Sequence, residues 1–146
     1  MKKIILLSSF VLLAAVLITS CVRHSGSNNV NENYWLTQER GDIVFSDSYC
    51  GYIVVETLYG YTIIRSTGGY QPYEGDEVYG NFGNYGTRSF YNRSTGRLVT
   101  GEVIEYDLSY VDAQYAIEYY CPSYGKGATA TARIKNSGAA KIARPK

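Results

Sequence analysis

Three residue types in this chain could do chemistry: clustered carboxylates, cysteines, and tyrosines, of which there are 16 among 146 residues. Glu74, Asp76 and Glu77 fall in one turn, and Glu102, Glu105 and Asp107 crowd one later segment. Paired carboxylates can act as acid and base in glycoside hydrolysis or as oxygen ligands to calcium. Glu74-Gly-Asp-Glu lacks the alternating ligand spacing of a calcium loop, however, and an acidic turn is stable with water alone. A hydrolase working through Glu77 or Glu105 therefore ranks behind a binding role. The sole histidine, His24, lies in a Ser-, Asn- and Gly-rich stretch. A tethered imidazole is not held to the precision catalysis needs, which removes a Ser–His–Asp triad. The sequence contains no phosphate-cradling glycine loop, HExxH, paired CxxC or GxSxG. The expectation is a protein with no catalytic residue, no metal and no cofactor.

The tyrosines point to binding. Tyr52, Tyr59, Tyr61, Tyr70, Tyr73, Tyr79, Tyr85, Tyr91 and Tyr106 cannot all enter the core of a domain this small. A phenol offers a flat apolar face and a hydroxyl at low entropy cost, which suits a contact surface. Tyr59, Tyr70, Tyr73 and Tyr85, which read as loop residues, are the candidates for an exposed aromatic patch that contacts a glycan, peptide or protein. The competing reading is that tyrosine is a strand former filling edges and half-buried positions.

The elements that position these residues begin after a leader. Lys2 and Lys3 precede an apolar run from Ile4 to Ile18, too short and too interrupted by Ser8 and Ser9 for a retained span. The run ends Leu17-Ile18-Thr19-Ser20-Cys21. This resembles the lipobox of bacterial lipoproteins. The resemblance implies a signal peptide over 1–20, diacylglycerol transfer to the Cys21 thiol, cleavage before Cys21 and acylation of the new amino group. Several acyl chains hold a protein on a bilayer far better than one. An ordinary secretory signal with an incidental cysteine is the alternative. Val22 stands where an aspartate would favour inner-membrane retention, so the outer membrane is preferred, with the domain facing the periplasm or the exterior.

Residues 21–33 read as a flexible tether and 34–121 as one folded domain. The net charge of +1 conceals a strong polarity. All 13 carboxylates lie between Glu32 and Glu118, where five arginines leave a net −8. The segment 122–146 carries +6, no acid and few large apolar residues, and reads as a disordered basic tail. It could lie on anionic lipid or polymer, fold back on the acidic domain, or remain solvated. The acidic domain disfavours nucleic acid as a partner. The expected partners are the membrane, through the anchor, and a glycan or an envelope protein.

Strand signals dominate 34–121. Residues 50–57 and 61–65 form a hairpin in which Ile53 and Val55 share one face while Tyr52 and Val54 take the other. Residues 66–73 form a loop, 77–82 a third strand with Val78 and Gly80 on one side, and 87–92 with 97–108 a second hairpin. The turn of that hairpin uses Gly96 at positive φ. Residues 111–120 are a helix or a last strand, with the helix preferred. The fold expected is all-β, a small five-stranded barrel. The stretches 51–56, 60–64 and 74–80 resemble the first three strands of an OB-fold, with Gly75-Asp76-Glu77-Val78-Tyr79-Gly80 as the third; another small barrel or a sandwich satisfies the same pattern. On such a fold, the loop after the first of these strands borders the ligand face.

With Cys21 taken by lipid, Cys50 and Cys121 remain as a pair in an oxidising compartment, and a bridge between them is expected. Separate buried thiols are the alternative. The closed loop of 71 residues makes such a bridge worth about 4 kcal/mol. The leading function is a lipid-anchored, non-catalytic binding module of the cell envelope. The runner-up is a structural or assembly accessory whose tail contacts an envelope complex.

Overall fold

The structure, a computed structural model, describes residues 30–122, 133–139 and 141–145. The leader, Cys21 and most of the tether lie outside these residues. Asn31 leads into the first helical element. Its side chain accepts from the Tyr34 N–H at 3.3 Å and caps one helical turn, α1 (Glu32–Trp35). The fold thus starts slightly inside the stretch read as tether.

Six antiparallel strands then close a barrel: β1 (Glu39–Asp47), β2 (Tyr52–Thr57), β3 (Tyr61–Ser66), β4 (Glu77–Gly80), β5 (Gly86–Asn92) and β6 (Arg97–Leu108). Their order around the barrel is β1-β2-β3-β6-β5-β4, with β4 returning to β1. Five of the six are those expected. The addition is β1, whose first half, Glu39-Arg-Gly-Asp, lacks the density of β-formers found in its second half, Ile43-Val-Phe. One element of the OB-fold pattern is corrected by the pairing. The stretches read as its first and second strands are neighbours, β2 and β3, but the third, β4, pairs with β1 and β5 instead of β3. The segment from Thr67 to Asp76 carries the chain to the opposite side of the barrel, a step that a local strand pattern does not encode.

The alternation expected in β2 holds. Ile53 and Val55 face the barrel interior with Ile43, Ile64, Val78, Phe82, Phe90 and Val103. Val54 faces outward with Ile63, Phe45 and Tyr61. Phe82 and Phe90 stack inside with centroids 5.1 Å apart. They fit because Gly80 faces them: a Cβ there would lie 2.6 Å from the Phe90 ring. In β1 the register slips between Ile43 and Phe45, and this bulge turns both Val44 and Phe45 to the outer side.

That outer apolar face is covered by α2 (Tyr110–Tyr120). Ser109 caps it by accepting from the Asp112 N–H at 3.2 Å, while Ala113 and Ile117 are buried against β2 and β3. The helix reading of 111–120 is therefore the one adopted. Its far end is fixed by a disulfide between Cys121 and Cys50, in the β1–β2 connection, with Cα atoms 5.3 Å apart.

The registers also define the two ends of the barrel. Glu39 pairs with Gly80, Gly41 with Thr57, and Tyr61 with Leu108, which gathers the β2–β3 and β4–β5 connections and the start of α2 at a lower end. The β1–β2, β3–β4 and β5–β6 connections lie at the upper end. Of the segment 122–146, read as a disordered tail, 123–132 lie outside the described residues, as do 140 and 146. Residues 133–139 and 141–145 lie against the barrel, beginning with Ile134, which is 4% exposed among α2 and β1 side chains. Its backbone N–H donates to Gln114 Oε1 at 3.0 Å, and the Lys135 N–H donates to the Val44 carbonyl at 3.1 Å. The physical reason is opposite charge beside one apolar anchor: Lys135, Lys141 and Arg144 meet Glu74, Glu56, Glu39 and Asp107 of the domain.

Candidate functional site

The site begins with an anomaly in a strand. Glu56 stands in the otherwise apolar β2 run Tyr-Ile-Val-Val-Glu-Thr, and alternation points it outward, beside Tyr61 on β3. The residue is nonetheless only 6% exposed, because the tail covers it. An ionised carboxylate that deep must be paired. One oxygen, Oε1, accepts from Tyr61 Oη at 3.0 Å, Ser137 Oγ at 2.5 Å and Lys141 Nζ at 2.6 Å. Burial pushes the Glu56 carboxyl up, but the bonds from Lys141, Ser137 and Tyr61 together outweigh it and hold the group below its ordinary value. Burial and the adjacent carboxylate push the Tyr61 hydroxyl well up, so it remains a donor. Lys141 also donates to the Thr57 carbonyl at 2.9 Å and lies 5.2 Å from the centre of the Tyr61 ring.

Three residues on, Arg144 reaches the lower end of the barrel. Its Nη1 donates to Glu39 Oε2 at 2.6 Å and its Nη2 to Glu39 Oε1 at 3.1 Å, a two-pronged contact that only a guanidinium makes. Its Nε donates to Asp107 Oδ1 at 2.9 Å, and its Cζ lies 4.3 Å from the centre of the Tyr59 ring. Burial alone would lower the basicity of Arg144; Glu39 and Asp107 more than reverse this, and the guanidinium stays charged. The slot is sized by Gly83, where a Cβ would meet Arg144 Cζ at 2.4 Å. Asp107 occupies it from a left-handed backbone conformation, φ 56°, which Asp and Asn tolerate better than other side chains.

Between these two anchors the Ile142 N–H donates to the Leu58 carbonyl at 3.1 Å. Open clefts of about 300 and 430 Å³ flank the segment, one beside Arg40, Asp42 and Leu58, the other beside Asp107, Ser109 and Tyr110. The tail turns at Asn136–Ala139, where Gly138 has φ 68° and the Gly138 N–H donates to Asn136 Oδ1, and its described residues are held by carboxylates and main-chain carbonyls. Chemically this is a grip for a basic polypeptide.

The residues singled out in the sequence are distributed otherwise. Tyr59 and Tyr85 lie at the lower end, in the β2–β3 and β4–β5 connections, whereas Tyr70 and Tyr73 lie at the upper end. They do not make one patch. Tyr59 lies beneath Arg144, Tyr85 packs on Tyr106 at 4.7 Å, and Tyr70 meets Tyr73 edge-on at 6.4 Å. Only Tyr73 and Tyr85, 69% and 64% exposed, present wide open faces. The carboxylate clusters do structural work. Glu74 pairs with Lys135, Asp76 accepts from Asn92, Glu102 pairs with Arg65, and Glu105 accepts from Tyr120 at 2.8 Å. The bond to Glu105 and burial raise the Tyr120 hydroxyl to about 12. The Tyr79 hydroxyl bond lowers the Glu77 carboxyl despite burial, with Arg40 and Arg93 adding to the effect. Among the described residues no group of three or more His, Cys, Asp or Glu could hold a metal, and no helix is long and apolar enough to cross a membrane.

Sequence reasoning did not single out Glu39, Glu56, Ser137, Lys141 or Arg144. The available signals were the −8 and +6 polarity and a lone glutamate inside an apolar strand. No protein family, curated protein or solved structure matches the chain.

Proposed function

We propose that the protein is a lipid-anchored module of the bacterial envelope, tethered to the outer membrane through Cys21, and that its barrel binds a peptide or protein without catalysis. The observation that carries this reading is the grip on Lys141, Ile142 and Arg144: three carboxylates, an aromatic face and two main-chain carbonyls hold a short basic stretch of polypeptide. Such a surface recognises backbone and positive charge together. A glycan platform has less support, because Tyr59, Tyr70, Tyr73 and Tyr85 are divided between two ends of the barrel. A carboxylate hydrolase has less still, since Glu77 is held by Tyr79, Arg40 and Arg93, and Glu105 by Tyr120.

Probing an array of peptides and glycans at low salt, with the mature chain and with its Lys141→Ala/Arg144→Ala variant, tests the binding role. Salt-sensitive capture of peptides rich in lysine and arginine, weakened by Glu39→Gln, is expected. Capture of glycans alone, or of nothing, overturns the role. Intact mass tests the anchor: the mature chain starts at Cys21 with a diacylglyceryl thioether, and Cys21→Ser remains an uncleaved precursor.

A further inference from the structure

We propose that the lower end of the barrel is a recognition site for a Lys-x-x-Arg peptide segment, and that residues 141–144 fill it as a resident ligand that an incoming basic peptide displaces. The inference rests on the binding role above and adds the ligand class and its regulation.

Two features separate a displaceable ligand from a fixed part of the fold. The first is how the segment is held. Ile134 is the tail's buried apolar anchor; beyond it, Asn136 to Ala139 are exposed, Ile142 is 52% exposed, and Lys141 and Arg144 are only partly covered. Beyond Ile134 the described residues are therefore held mainly by polar and ionic contacts, whose pairs are partly buried and so only partly screened by salt. The second is how the receptor is built. Glu56 and Glu39 come from β2 and β1, Asp107 from the end of β6, and Tyr59 and Gly83 from two connections. These elements are fixed by barrel pairing whether or not the tail is present. With residues 141–144 lifted away, Glu39, Glu56 and Asp107 lose their cations while the barrel keeps them close together. That leaves a negative slot shaped for one ammonium and one guanidinium three residues apart. The clefts of about 300 and 430 Å³ beside the segment give an incoming chain a route to it.

The tether sets the competition. Six residues separate Ile134 from Lys141, so the resident segment acts at an effective concentration of about millimolar. A free peptide of the same sequence must outcompete it in the wild-type chain, but not in one whose own Lys141 and Arg144 are gone.

The experiment uses a labelled synthetic peptide spanning residues 136–146 and the full mature chain, read by fluorescence anisotropy. Lys141→Ala/Arg144→Ala should bind the peptide at least about tenfold more tightly than wild type. Raising salt from about 50 to about 500 mM should weaken binding to the emptied chain and narrow the difference. Adding Asp107→Asn, which keeps the left-handed backbone, should weaken binding about tenfold. A peptide with alanine at both basic positions should not bind. Failure of the peptide to bind the emptied chain overturns the proposal, as does equal affinity for both chains. If the double variant does not fold, the wild-type chain decides the matter. Excess peptide should accelerate hydrogen exchange at the Ile142 amide, and an unchanged rate at saturation refutes displacement. If array peptides bind while this peptide does not, the binding role survives and only the resident-ligand proposal falls.

Discussion

Replacing Arg144 with alanine isolates the part of the tail held mainly by charge. The substitution removes a two-pronged contact to Glu39, a bond to Asp107 and the cover over Tyr59. Fully exposed ion pairs contribute up to about 1 kcal/mol, while breaking a fully buried pair costs about 3–5 kcal/mol. Arg144, Glu39 and Asp107 retain 22%, 15% and 30% of side-chain exposure, which places this site between the limits. A loss of about 2 kcal/mol, or about thirtyfold in the docking equilibrium, is the working figure. It should appear locally, since the segment can lift while the barrel stays folded. The Ile142 amide, bonded to the Leu58 carbonyl, is the reporter. Its hydrogen exchange should accelerate about thirtyfold in Arg144→Ala, while the Lys135 amide, beyond the Ile134 anchor, and the β2–β3 amides keep their protection. Two results would refute the reasoning: an Ile142 amide already unprotected in wild type, or uniform acceleration across tail and barrel.

Three further outcomes follow from the same contacts. Gly83→Ala should lift Arg144 without changing any charge, because the added Cβ would meet its guanidinium at 2.4 Å; Ile142 exchange should rise while barrel stability by urea titration is nearly unchanged. Docking should also fail in acid. The Glu56 carboxyl is depressed in the folded state, so its contribution is complete above the ordinary value of 4.5 and disappears as pH falls through the lower folded value. Amide shifts of Asn136 and Ser137 should report that loss below pH 4.5, and Glu56→Gln should remove this component of the titration. Finally, replacing Cys50 and Cys121 with alanine should cost about 4 kcal/mol in the chain-entropy account and lower Tm by roughly 15–30 °C. A Tm unchanged by reductant would contradict a bridge spanning 71 residues.

Much of the barrel was legible because its strands obey local rules. Ile53 and Val55 alternate with Tyr52 and Val54, and Gly96, at φ 68°, makes the turn between β5 and β6. β1 escaped because its opening residues, Glu39-Arg-Gly-Asp, favour solvent in isolation and become strand only when paired with β2 and β4. The neighbours of β4 escaped for a related reason: pairing partners are chosen by barrel closure, which no window of sequence contains. The tyrosines looked alike as loop residues, yet Tyr59 lies under a guanidinium while Tyr73 stands open.

The amino-acid sequence by itself determined the all-β character and the division of charge between domain and tail. Each depends on composition or on short-range alternation, which residue types carry with them. The tertiary structure alone decided which carboxylates act together. Glu39, Glu56 and Asp107 are spread over three strands, and Lys141 and Arg144 reach them from the far end of the chain. A site assembled from such distant positions exists only after closure of the barrel has brought β1, β2 and β6 to one end, where opposite charges can meet across a partly dry surface.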